Sequence, residues 1–235
     1  MGEVITLGET VLTECTDDEV RANMIQFLCL AYMAMNEPSK VRTLAEKMPN
    51  VHLSSEELFM HILKGTELYE LKQQALFDYT DIVCRHLSTL NIRLNNCSVP
   101  YTINECIALQ QKTLDVLNIF FEDGDYGFYH VRIKGIYRNM ALLSMTEAQN
   151  TIAALKHLQL AAQHAIAFDT NYDSNKKHTS IVSRGHSFGK VAHSQTGNQS
   201  YDLIASLENN VFDPIRSDEA FIAIEKLLRK HAKDK

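Results

Sequence analysis

Over residues 17–35 the apolar positions Val20, Met24, Phe27, Leu28, Ala31 and Met35 return every three or four residues, the spacing that gathers side chains on one helical face. Thr16 or Asp17 supplies the N-cap. After an Asn36-Glu37 turn, Pro38 stands at a first helical position, where it is tolerated. Val41, Leu44, Ala45 and Met48 then keep the period until Pro49 stops it. Two helices joined by about three residues run antiparallel. Ser54 and Glu57 have capping-box spacing and open a short helix that Gly65 is expected to terminate. From Glu67 the residues Leu68, Leu71, Ala75, Tyr79, Ile82, Val83, Leu87, Leu90 and Leu94 predict the longest helix, closed by a loop over 95–100.

A further helix begins near Thr102 and carries Ile103, Ile107, Leu114, Leu117 and Phe121 on one side, before the turn-forming run at 122–127. Two more helices are expected over 128–145 and 146–168. At Asn171 the composition changes. Of the residues from 171 to 200 only Tyr172, Ile181, Val182, Phe188, Val191 and Ala192 are hydrophobic, so this stretch is expected to be a long, flexible loop. A short helix around 201–208 and a last one over 217–231 close the chain. Ser217, Asp218 and Glu219 suit the positive end of the last helix, and Lys226, Arg229 and Lys230 its negative end. The expected organisation is a helical array over 1–170, the polar loop 171–200, and capping helices over 201–235.

Composition narrows the function classes. With 45% hydrophobic residues, 22% charged, 9 Gly and 4 Pro in 235 residues, disorder and disulfide-dense scaffolds are excluded. The formal charge of −6 gives no electrostatic footprint for direct nucleic-acid binding. The longest apolar run, 27–35, is half of what a bilayer crossing needs, and the N-terminus lacks a basic leader, so no membrane contact and a cytoplasmic location are expected. Cys15, Cys29, Cys84, Cys97 and Cys106 form an odd set with no C-x-x-C pair and read as reduced structural thiols.

The stretch IQFLCLAYMAMNEPSKVRTLAEKM resembles a tetratricopeptide repeat: Leu28, small Cys29, Ala31 with Tyr32, a polar turn, then Val41, Ala45 and Met48. A weaker copy lies in NMALLSMTEAQNTIAALKHLQLAAQHAI. With FFEDGDYGFYHVRIKGIYR, LAAQHAIAFDT, HTSIVSR and FDPIRSDEAF, the chain resembles the C-terminal tetratricopeptide-type region of helix-turn-helix regulators of the Xre type from Gram-positive bacteria. Asn36 stands where that family has a turn Gly, and Pro38 where it has an aromatic residue. The resemblance implies an all-α fold, antiparallel helix pairs wound into a right-handed superhelix. It also implies a sensing and dimerisation segment that binds a protein or peptide ligand as a homodimer, its DNA-binding module lying outside this chain. The alternative is a freestanding tetratricopeptide adaptor. The inner groove of such an array would be lined by Asn23, Gln26, Leu30 and Met33 from the first full repeat, and by Arg138 and Leu142 from the later one.

Other motifs carry less chemistry. The run Asp123-Gly124-Asp125 lacks a calcium loop's later Gly and Glu, which fall on Phe128 and Lys134. His157 with His164, and His178, His186 and His193, are weighed as metal ligands and read as packed or surface residues. SRGHSFGK matches no phosphate-loop spacing, and no nucleophile motif is found. No cofactor, no metal and no enzymatic activity are expected.

Overall fold

The computed structural model describes residues 2–47, 63–90, 101–146, 149–187 and 197–232. Over these residues the protein is all-α, with β pairing limited to one isolated antiparallel bridge between Lys177 and Ser187. No helix among them is long and apolar enough to cross a membrane. The chain divides into two compact units, 1–61 and 62–235, and the composition change at 171 falls inside the second.

The first unit contains α1 (Gly2–Glu14), α2 (Asp18–Ala34) and α3 (Pro38–Ala45). Asp17 caps α2, its carboxylate accepting from the Val20 amide at 3.0 Å. Arg21 secures the preceding turn by donating to the carbonyls of Leu12 and Cys15 at 2.6 and 3.0 Å. The α2–α3 turn explains Asn36. Its φ of 56° is left-handed, and the amides of Asn36 and Glu37 return to the carbonyls of Met33 and Tyr32, closing α2 in a Schellman arrangement. Asparagine tolerates that conformation better than other residues with a side chain. Ile5, Ile25, Leu28, Tyr32 and Leu44 form the core. Gly8 permits close approach of α1 to α2, because a Cβ there would lie 2.9 Å from Leu28 Cδ2.

The second unit contains α4 (Gly65–Thr89), α5 (Ile103–Phe120), α6 (His130–Thr146), α7 (Thr151–Asn171), α8 (Gln199–Leu207) and α9 (Glu219–His231). Short 3-10 turns occupy Gly127–Tyr129 and Asn210–Ile215. Gly65, at φ 61°, is the first residue of α4; the short helix it is expected to terminate, with its Ser54–Glu57 capping pattern, lies outside the described residues. Thr102 and Glu105 form a full capping box on α5. Asn150 caps α7 through the Ala153 amide at 3.0 Å, so that helix begins later than the periodicity alone suggests.

Two cores fill this unit. Phe77, Cys84, Leu117, Phe121, Tyr129 and Ile133 knit α4, α5 and α6. Ala154, Leu158, Ala161, Leu203, Phe212 and Phe221 join α7, α8 and α9 to α6. The small alanines on α7 let its neighbours approach closely. Asp169 at the end of α7 accepts from the first amides of α8, Gln199 and Ser200, at 2.7 and 2.8 Å. Asn198, which caps α8, also donates to the His231 carbonyl at the end of α9. Thus α8 runs antiparallel to both α7 and α9, and these two run in the same direction. Cys15, Cys29, Cys84 and Cys106 are free thiols; Cys97 lies outside the described residues.

Candidate functional site

Residues 171–187 and 197–200 are the described parts of the expected polar loop 171–200. His178, Ser180 and Ser183 are at most 2% exposed. The reason lies in their hydrogen bonds. Helix C-termini leave carbonyls without helical partners, and here Ser180 and Ser183 both donate to the Phe120 carbonyl at the end of α5. His178 donates from Nδ1 to the Asp125 carbonyl at 2.9 Å, Thr179 donates to the Asp123 carboxylate, and Lys176 pairs with Asp125 at 3.1 Å. The acidic turn at 122–127 therefore anchors a protein segment. From α4, Tyr69 and Gln73 donate to the Arg184 carbonyl at 3.1 and 2.9 Å. Gly185, at φ 82°, makes the bend that returns its amide to the His178 carbonyl at 3.0 Å. Within SRGHSFGK, Phe188, Gly189 and Lys190 lie outside the described residues, as does His193.

This strap builds one wall of a groove. His186 stacks on Phe77 with ring centroids 4.1 Å apart, and His178 lies against Phe77 and Phe121 at 5.7 and 4.7 Å. On one side of His186 a hollow of about 620 Å³ is bounded by Asp78, Asp81, Arg85, Phe128 and Tyr129. On the other side a second hollow of about 740 Å³ is bounded by Glu67, Glu70, Leu71 and Lys177. Gln74, His186 and Ser187 border both. Glu67, Glu70, Gln74, Asp78 and Asp81 recur at helical spacing, so a single stripe of α4 forms the opposite wall. Asp81 is paired with Arg85 and Arg132 at 2.8 and 2.6 Å. Glu67, Glu70 and Asp78 have no cationic partner among the described residues, which leaves the stripe acidic.

Beside the strap lies a second histidine cluster. His130 Nδ1 is 2.8 Å from His164 Nδ1, so one ring donates and the other accepts. Tyr126 packs edge-on against both rings, and Tyr137 stacks on His164. Burial pushes each imidazole down to about 4, aided at His130 by nearby Lys176 and at His164 by His130 itself, with Asp125 opposing at His130. Burial likewise lowers His157, His178 and His186. His157, weighed with His164 as a metal ligand and read as a packed or surface residue, faces Ser144 Oγ at 3.5 Å. Among the described residues no group of three or more His, Cys, Asp or Glu side chains is arranged to hold a metal.

The residues expected to line an inner groove divide between the units. Asn23, Gln26, Leu30 and Met33 share one face of α2 and are all exposed, Leu30 by 59% and Met33 by 62%. Arg138 and Leu142 lie one turn apart on α6. Leu142 packs against the α7–α9 core, while Arg138 is half-buried, donating to Asn139 Oδ1 at 3.0 Å with its Nε buried and without a hydrogen-bond partner. No local motif marks the α4 stripe, whose acidic residues fall at ordinary helical spacing. Only the strap, distant in sequence, turns that face into a wall. No family model matches the chain, and neither does a curated protein or a solved structure.

Proposed function

We propose that the chain is a regulatory helical-repeat module that binds an extended peptide along the α4 stripe. In this reading it is the sensing and dimerisation part of a bacterial transcriptional regulator, with its helix pairs continuing as a tetratricopeptide-like superhelix. The observation that carries it is the pair of adjoining hollows that meet at His186. From residue 67 to residue 85 the stripe is about 27 Å long at roughly 1.5 Å per residue. That length fits about eight residues of extended peptide at roughly 3.3 Å each. The carboxylates of Glu67, Glu70 and Asp78, none of them ion-paired among the described residues, favour a peptide with Lys or Arg side chains, and the Phe77, Tyr129 and His186 rings favour apolar or aromatic side chains between them.

The test uses fluorescein-labelled eight-residue peptide pools of basic, neutral and acidic composition, titrated with the full chain at two salt concentrations. Binding is expected for the basic pool, weakening with salt and weakening about fivefold or more in Asp78→Lys. Equal retention of all three pools, or none, overturns the reading.

The exposed amide-and-apolar face of α2 favours a second reading, a freestanding adaptor that docks a partner protein through Asn23, Gln26, Leu30 and Met33.

A further inference from the structure

Helix α9 is apolar on two sides. Phe221, Ile224 and Leu228 are buried in the core of the second unit. Ile222, Ala223 and Leu227 are exposed, Ile222 by 51%, and share a face with the exposed Glu219, Lys226 and Lys230. These six positions fall at helical spacing on one stripe. Beside the stripe, between the parallel helices α7 and α9, lies an apolar hollow of about 460 Å³. Ile152, which is 81% exposed, and Leu155 line its α7 side together with Lys156 and Gln159, and Ala220 and Leu227 its α9 side. Isolated exposed hydrophobics are ordinary, but a contiguous apolar patch with a charged rim marks an interaction surface.

The charges say what covers it. The acidic residue of the stripe is at the N-terminal end and the basic residues are toward the C-terminal end. Among the described residues Glu219, Lys226 and Lys230 have no ion-pair partner, whereas Glu225 is already paired with Arg229 at 2.5 Å. A stripe of that polarity is complementary to itself when reversed. Laying a second α9 antiparallel on the first, with the two-fold axis at its middle, sets Glu219 opposite Lys230 of the second copy. The same register sets Ile222 opposite Leu227, and Ala223 opposite Lys226, whose aliphatic stem can cover it. A two-fold interface requires this reciprocity, residue i meeting j while j meets i. The two helix dipoles also oppose favourably in that arrangement.

We infer that the exposed face of α9, with Ile152 and Leu155 of α7 beside it, is the surface through which two copies of this chain pair. The inference rests on the dimeric part of the regulatory reading and names its contact. Sedimentation equilibrium of the full chain tests it, with circular dichroism of each variant as the folding control. The unaltered chain is expected to sediment as a dimer and Ile222→Glu as a monomer of unchanged helicity. Glu219→Lys and Lys230→Glu each weaken the dimer about tenfold, and the double reversal restores it. If Ile222→Glu loses helicity, the charge reversals decide alone. A dimer that neither the reversals nor Ile222→Glu disturbs overturns this surface and leaves the regulatory reading standing. A chain that stays monomeric overturns the surface and the dimeric reading together.

Discussion

Two half-buried imidazoles 2.8 Å apart, His130 on α6 and His164 on α7, share a hydrogen bond only while at least one Nδ1 is unprotonated. Their folded values of about 4 lie below the 6.5 of an unfolded chain. Above about pH 6.5 both states are neutral and the pair's contribution to stability is fully present. As the pH falls toward about 4 the unfolded chain takes up protons that the folded one does not, so stability drops; below that the effect levels off. His157, His178 and His186, lowered by burial, act in the same direction. Urea midpoints should hold from pH 7.5 to about 6.5 and fall from there to 4.5. His164→Gln, which keeps a donor and an acceptor without titrating, should shrink that fall. An identical pH slope in the variant would show that the pair does not carry the effect.

At the scale of elements, caps decide where helices begin, and the most informative one joins distant parts of the chain. Asp169 accepts from the amides of Gln199 and Ser200 and from Ser200 Oγ, while Lys134, buried and lowered by that burial, donates to Gln199 Oε1 at 2.6 Å. Asp169→Ala removes the N-terminal partner of α8. It is expected to cost about 2 kcal/mol in urea unfolding, a cap plus a buried donor left unmade. A loss under about 0.5 kcal/mol would mean that water serves the α8 terminus equally well.

Local rules made several such elements readable. Asp17 as a cap, the Asn36 turn, the long helix after residue 65 and the acidic start of α9 follow from neighbours within a few positions. The strap over 171–187 did not, because its stability comes from partners more than fifty residues away, such as the Phe120 carbonyl and Gln73. Its low hydrophobic content argued for exposure, yet serine and histidine were buried once α5 supplied unsatisfied carbonyls. Gly65 shows the same limit in miniature. At φ 61° it opens α4, and whether such a glycine closes one helix or opens the next depends on structure on both sides.

On the scale of the whole molecule, a chain of net charge −6 carries an acidic groove on its second unit and an exposed amide-and-apolar face on its first. The all-α class was legible from periodicity; the groove was not, since it needs α4 and the strap together. The central claim is that ligand binds along α4 beneath His186. Hydrogen–deuterium exchange of the full chain, with and without saturating basic peptide pool, tests it most directly. New protection is expected in residues 67–85 and 176–187, with residues 23–33 unchanged. Protection confined to 23–33, or to the region of Arg138 and Leu142, would contradict the account.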